Sequence, residues 1–158
     1  MKAIEIQAPN ELIDKAYYKK VFLAGSIEMG KAEDWQLRVI KALADKPIIF
    51  LNPRRKDWDS SWKQEKTDPQ FKQQVTWELE GLEKADVIII YFDPTTKSPI
   101  SLLELGLHTC NGDKLIVLCP DGFYRKGNVD IVCERYDIKQ VNSFKELIKE
   151  TKIAINEA

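Results

Sequence analysis

Short apolar segments rich in branched residues recur along the chain, and longer segments with a helical spacing of apolar residues separate them. Four segments have the pattern of buried parallel strands, because each ends in a turn marked by polar, Gly or Pro residues. These are Lys20–Gly25, Ile48–Leu51, Val87–Phe92 and Lys114–Cys119. A fifth segment, Ala3–Gln7, is a candidate for a short edge strand. The pattern therefore predicts a mostly parallel sheet of about five strands.

The segments between these strands predict helices, since their apolar residues recur every three or four positions. The expected helices are Lys31–Ala44, Phe71–Lys84, Ser101–Thr109 and Ser143–Ile155. Strands that alternate with helices form parallel pairs joined by right-handed crossovers. We therefore expect one doubly wound α/β domain, Rossmann-like or flavodoxin-like, over residues 1–158, in which residues 1–19 form an N-terminal edge segment.

Composition limits the functional class. The chain has 158 residues, 44% hydrophobic and 31% charged, with a net charge of −1. These values are typical of a globular domain without a basic surface for nucleic acid. We expect a cytoplasmic protein, because the N-terminus does not resemble a signal peptide and no apolar run is long enough to span a membrane. The three cysteines and the single histidine lack metal-ligand spacing, so no metal is expected. No other cofactor is expected either.

Residues 53–69 form the least regular stretch of the sequence and contain Trp58 and Trp62 among polar residues. A loop of this length in a small domain is often a functional lid. One interpretation is that a tryptophan stacks on a nucleobase, because aromatic faces suit π-rings. The alternative is that one ring only anchors the loop to the core.

A carboxylate follows the buried strand Val87–Phe92 at the point where ligands bind open α/β sheets. After a loop marked by Pro and Ser, the next predicted helix carries Glu104 in its first turns. A glutamate there can act as a nucleophile on a sugar carbon. Gly25 and Ser26 end an earlier strand and precede a helix, where free amides can hold an anion or a sugar hydroxyl. Glu28, close by, argues against a strongly anionic ligand.

Several segments together resemble the nucleoside 2-deoxyribosyltransferase family, over about residues 21–136. The segments that carry the resemblance are Phe22–Ile27, Asn52–Arg55, Trp77–Asp86, Ser98–Gly106 and Gly127–Ile131. The resemblance implies that Glu104 attacks C1′ of a 2′-deoxynucleoside and forms a covalent deoxyribosyl intermediate. It also implies that Glu78 contacts the base, where Asp is more common in the family.

The resemblance further implies a substrate-binding role for Asn128, contributed by a neighbouring subunit of a homodimer or larger homo-oligomer. Asp130, in the same segment, is a further candidate substrate-binding residue; by position alone, Asn128 is also a candidate helix cap. Ser98 and Ser26 resemble the serines of the related deoxynucleoside 5′-monophosphate N-glycosidases. A tyrosine that orients the nucleophile in many members is absent, and Phe22 lies nearest to its place.

Three functions stay open from the sequence. The first is cleavage or exchange of the N-glycosidic bond of 2′-deoxynucleosides, with a free nucleobase as the acceptor. The second is hydrolysis of deoxynucleoside 5′-monophosphates, which Ser26 and Ser98 favour. The third is a non-catalytic nucleotide-binding module, which the absent tyrosine favours.

Overall fold

A computed structural model describes residues 1–27 and 33–157 of the chain. Its sheet has six strands in the order β1-β3-β2-β4-β5-β6, and every neighbouring pair is parallel. The strands are β1 (Ile4–Gln7), β2 (Lys19–Gly25), β3 (Ile48–Asn52), β4 (Val87–Tyr91), β5 (Leu115–Leu118) and β6 (Lys139–Val141).

Helices connect the strands and cover both faces of this sheet. They are α1 (Trp35–Ala42), α2 (Pro69–Lys84), α3 (Pro99–Leu107), α4 (Lys126–Arg135) and α5 (Phe144–Glu157), with a 3-10 segment at Thr109–Lys114. Residues of α2, α3 and α4 join one hydrophobic cluster, whereas residues of α1 and α5 join another on the opposite face. This arrangement confirms the expected doubly wound α/β fold.

The buried strands are apolar on both sides, which explains why their sequences are continuous apolar runs. Successive residues of β4 alternate between the two clusters: Ile88 and Ile90 belong to the first, Val87 and Ile89 to the second. Because helices cover both faces, neither set can be polar. The strand interiors therefore contribute packing, and chemistry is confined to the strand ends and to the helices.

The order of the strands in the sheet indicates where a ligand is expected to bind. From β2 the chain crosses to β3 on one side and then returns past β2 to β4 on the other. Without the added edge strand β1, this order is that of flavodoxin-like folds, which bind ligands beyond the carboxyl ends of the strands where the direction of winding reverses. In this protein the reversal lies between β2 and β4, so their carboxyl ends define the expected site.

Some expected boundaries are corrected by the structure. The sheet has six strands, whereas about five were expected. The additional strand, β6, was not predicted because it has only three residues and begins at exposed Lys139. Helix α1 begins at Trp35, after the cap Asp34, and not at Lys31, which lies outside the described residues. Helices α2 and α3 each begin two residues earlier than expected, at a proline, because the fixed φ of proline suits the first helical turn.

Candidate functional site

Glu104 lies on α3, the helix that follows β4 at the carboxyl edge of the sheet. Its side chain is buried, with 7% of the residue exposed. Burial raises the pKa of Glu104 from 4.5 to about 8, and the nearby charge of Glu78 adds to the rise. A carboxylate that has lost its hydration is a stronger nucleophile than one in water. The structure therefore places the expected nucleophile in an environment suited to that role.

Glu78 lies on α2, and the fold brings it near enough to Glu104 for its charge to raise the pKa of Glu104, although 25 residues separate them in sequence. Its carboxyl oxygen Oε1 accepts a hydrogen bond of 2.8 Å from Gln74 Nε2. Burial raises the pKa of Glu78, and the hydrogen bond from Gln74 offsets part of the rise. Both carboxyl groups therefore keep their protons to higher pH than a glutamate in water, and the negative charge of Glu78 makes ionisation of Glu104 less favourable.

Three buried hydroxyl groups lie together beside the start of α3. Ser26 Oγ is 2.8 Å from Thr96 Oγ1 and 2.5 Å from Ser98 Oγ, and the latter two are 2.7 Å apart. The backbone N–H of Asp93 donates to Ser26 Oγ at 2.8 Å. We call Ser26, Thr96 and Ser98 the hydroxyl cluster. Ser26 and Ser98 were candidates from the sequence, whereas Thr96 was not, because no motif marks it.

Backbone geometry holds the hydroxyl cluster in place at the reversal between β2 and β4. Gly25 has φ +130°, and a Cβ atom there would lie 2.3 Å from the Tyr91 carbonyl oxygen. The Ser26 N–H donates to that same oxygen at 2.9 Å, and Trp35 Nε1 donates to the Ser26 carbonyl at 3.0 Å. Gly25 is thus required for the close approach of the strands, and its role toward substrate stays a prediction. Glu28 lies outside the described residues.

Ser98 has the left-handed backbone conformation, with φ 45° and ψ 53°, immediately before the first residue of α3. This conformation is uncommon for a residue with a Cβ atom, and strained residues of this kind cluster at active sites. It places the Ser98 hydroxyl in the hydroxyl cluster. The strain at Ser98 therefore accompanies a precise placement of polar groups at the helix start.

The loop 53–68 contains no helix or strand, as expected, but it is internally packed. The rings of Trp58 and Trp62 meet edge to face at 5.1 Å between centroids. The Arg55 guanidinium lies 4.8 Å from the Trp62 ring centre and donates to Asp57 at 2.6 Å. The indole nitrogen of Trp58 is buried without a hydrogen-bond partner among the described residues. Lid motion and base stacking stay predictions.

Asn128 and Asp130 lie on α4. Asp130 accepts hydrogen bonds from Lys126 Nζ at 3.0 Å and Gln140 Nε2 at 2.6 Å, so it ties α4 to β6. The interpretation of Asn128 as a helix cap is wrong, because the cap is Arg125 and Asn128 lies within the first turn. Asn128 is exposed and lines a groove between α3 and α4 of about 330 Å³. Glu104 is not among the residues that line this groove.

Phe22, which has no hydroxyl group, lies nearest in sequence to the place of the tyrosine that the family resemblance implies beside the nucleophile. Phe22, on the α2 side of the sheet, packs 6.1 Å from Trp77 between ring centres. Tyr91 packs against Trp35 at 5.6 Å and therefore lies on the opposite face.

Burial lowers the pKa of His108; the charge of Lys114 lowers it further, and the charge of Glu83 acts in the opposite direction. Its pKa shift therefore has causes away from the nucleophile.

The fold and the site define a doubly wound α/β protein with a buried glutamate, Glu104, and a half-buried one, Glu78, near the winding reversal. The chain belongs to the nucleoside 2-deoxyribosyltransferase-like family, whose model matches residues 18–123. A solved structure described as a conserved protein from Enterococcus faecalis V583 is similar in fold, with a TM-score of 0.62 and 16% sequence identity. That match covers 85% of this chain and 98% of the other. A comparison with curated protein sequences returns no match.

Within residues 1–27 and 33–157, none of the helices combines the length and apolar character needed to cross a membrane. The same residues contain no group of three or more His, Cys, Asp or Glu side chains arranged to hold a metal ion. Cys110, Cys119 and Cys133 are free thiols.

Proposed function

We propose that this protein cleaves or exchanges the N-glycosidic bond of 2′-deoxynucleosides, with Glu104 as the nucleophile and Glu78 as the acid that assists the leaving base. The observation that carries the proposal is the buried carboxyl group of Glu104 on the helix that follows β4, where the charge of Glu78, from another helix, helps to raise its pKa. Membership of the nucleoside 2-deoxyribosyltransferase-like family supports the same substrate class.

The proposed first step forms a bond between a Glu104 carboxylate oxygen and C1′ of the deoxyribose. The C1′–N bond breaks, its electron pair stays on the nucleobase, and Glu78 supplies the proton that neutralises the leaving nitrogen. The transition state resembles an oxocarbenium ion, which the adjacent negative charge stabilises. The result is a deoxyribosyl ester of Glu104, a free base and an ionised Glu78.

The proposed second step reverses this chemistry with a new acceptor. A nitrogen of another base, or a water molecule, bonds to C1′ while the electron pair of the ester bond returns to Glu104. Glu78 takes up the proton that the acceptor loses, so Glu78 is again protonated at the end of the cycle. Transfer and hydrolysis therefore differ only in the acceptor that reaches C1′.

A second candidate substrate is a deoxynucleoside 5′-monophosphate, which the hydroxyl cluster favours. Three mutually bonded hydroxyl groups at the start of α3 can each donate to a phosphate oxygen if they turn outward from one another. The start of a helix also has free N–H groups and a positive dipole end that favours anions. This candidate keeps Glu104 and Glu78 in the same roles.

One assay tests both candidates. We expect base release from 2′-deoxynucleosides or their monophosphates and at least about tenfold slower release from ribonucleosides, since a 2′-hydroxyl disfavours the cationic transition state. A second free base should produce exchange if the protein is a transferase. The Ser98→Ala variant should lower kcat/KM for monophosphates more than for nucleosides if the phosphate binds the hydroxyl cluster.

The control for this assay is Ser143→Ala, which removes an exposed hydroxyl that accepts from the Glu146 N–H at the start of α5. Its effect on both substrate types should be negligible. Equal loss of nucleoside and monophosphate turnover in Ser98→Ala would argue against the phosphate role. Absence of base release from every substrate would contradict the proposed activity itself.

We also propose that the working unit is at least a homodimer formed through the α3–α4 side of the domain. The outward residues Ile100, Leu103 and Leu107 lie on one face of α3 and are each more than half exposed. Ile131 on α4 is 68% exposed. Several large apolar side chains exposed together are typical of an interface between proteins. Asn128 lies on this side, which supports its proposed reach into a neighbour's sugar site.

A mixing experiment tests this shared site. Chains with Glu104→Ala and chains with Asn128→Ala should each be weakly active, but mixing them with subunit exchange should restore roughly a quarter of the unmodified activity. Random exchange makes half of the dimers mixed, and each mixed dimer has one intact site. Mixing Glu104→Ala with Glu104→Gln chains is the control and should restore nothing. A monomer in sedimentation, or no recovery after proven exchange, would refute the shared site.

A further inference from the structure

Gln74 is a buried amide side chain on α2, one helical turn before Glu78. Only 4% of the residue is exposed. The large majority of buried side-chain polar atoms in native proteins have at least one hydrogen-bond partner. The partners of this amide therefore indicate what the side chain is for.

The neighbours of Gln74 fix the orientation of its amide. Its nitrogen Nε2 donates to the Pro53 carbonyl oxygen at 2.9 Å and to Glu78 Oε1 at 2.8 Å. A carbonyl oxygen can only accept, so rotating the amide by half a turn would set two acceptor oxygens against each other. The nitrogen must therefore face Pro53 and Glu78, and the oxygen Oε1 must face elsewhere.

The oxygen Oε1 of Gln74 is buried and has no hydrogen-bond partner among the described residues. An unsatisfied buried acceptor is destabilising, and such groups in native proteins call for an explanation such as a functional role. This oxygen shares one amide group with the nitrogen bonded to Glu78. It therefore lies beside the proposed acid and next to the first residue of the loop that holds the two tryptophans.

We propose that Gln74 is a specificity-determining residue whose Oε1 accepts a hydrogen bond from an N–H group on the edge of the substrate's nucleobase. This inference rests on the proposed function, in which C1′ lies at Glu104 and the base at Glu78. Gln74 lies between Glu78 and the loop 53–68, on the base side of the site. An amide oxygen selects a donor, and the natural bases offer one as an amino group or a ring N–H.

The test measures binding in a Glu104→Gln background, so that nucleosides are not consumed. The ligand pairs are 2′-deoxyadenosine with purine 2′-deoxyriboside, and thymidine with 3-methylthymidine; the second member of each pair lacks the N–H. We expect the better-bound natural nucleoside to bind at least about tenfold more tightly than its partner, because a site built for a hydrogen bond rejects an analogue without it. Adding Gln74→Met should remove this preference.

The matched control is Gln70→Met, which makes the same substitution one helical turn earlier, at an exposed position of α2. It should leave the preference unchanged. A preference that survives in Gln74→Met would overturn the role of Gln74. The paired ligands also test the proposal without any change at position 74, so equal binding within both pairs overturns it even if Gln74→Met fails to fold.

Failure of the proposed function gives a different result. The chain with Glu104 intact would then release no base from any deoxynucleoside, while the N–H preference and its dependence on Gln74 would persist in the binding measurements. Conversely, base release with no N–H preference would leave the catalytic proposal in place and remove the inference about Gln74.

Discussion

Replacing Glu104 with Gln should abolish base release, with a loss in kcat of at least about 10⁴-fold, because the variant has no carboxylate to form the bond to C1′. Gln has nearly the same shape as Glu, so the packing of α3 should be preserved. The unmodified protein, stopped during turnover of a slow substrate, should carry a deoxyribosyl group on Glu104 that peptide mass spectrometry can locate.

The control for this variant is Glu134→Gln, at an exposed position of α4, which should retain full activity. Substantial residual activity in Glu104→Gln, or an adduct on another residue, would contradict the assignment of the nucleophile. A loss of activity in Glu134→Gln would show that the assay responds to general damage.

The same variant has an expected effect on stability, because the folded pKa of Glu104, about 8, lies above its ordinary value of 4.5. Between these pH values the folded state binds more protons than the unfolded state, so the contribution of Glu104 to the free energy of unfolding falls as pH rises. Gln cannot ionise. In denaturant unfolding, the free energy of unfolding of Glu104→Gln relative to that of the unmodified protein should therefore increase from pH 5 to pH 8.

Replacing Glu78 with Gln should lower kcat for ordinary nucleosides by about 10²- to 10⁴-fold, because the leaving base loses its proton donor. Burial raises the pKa of Glu78, so the kcat/KM of the unmodified protein should fall at high pH as Glu78 loses its proton, and Glu78→Gln should lack this basic limb.

A substrate with a base that needs no proton separates the acid role from general damage. The purine of 7-methyl-2′-deoxyguanosine is already cationic, so its release should be much less sensitive to Glu78→Gln than the release of guanine. Glu80→Gln, at an exposed position on the same helix, is the matched control. Equal losses for both substrates, or a basic limb that persists in Glu78→Gln, would contradict the role of Glu78.

The order of strands and helices was predictable because it depends on local patterns. Buried parallel strands have continuous apolar sequences, and helices repeat apolar residues at three or four positions, so β2, β4 and α3 could be placed from the sequence. Since ligands bind α/β sheets at the carboxyl ends of strands, the position of Glu104 just after β4 also followed from the sequence. The short strand β6 was missed because its few residues have no apolar pattern.

Only the tertiary structure decided which distant side chains meet. Nothing in the sequence around Glu78 distinguishes it from a surface charge of a helix. Its effect on the pKa of Glu104 depends on how α2 and α3 pack on the sheet. Thr96 forms a hydrogen bond with Ser26 because the carboxyl ends of β2 and β4 lie side by side in the sheet. The fixed amide of Gln74 depends on a carbonyl that lies 21 residues away in the sequence. Sequence periodicity determines which face of an element is buried, but the partners on that face are set by long-range packing.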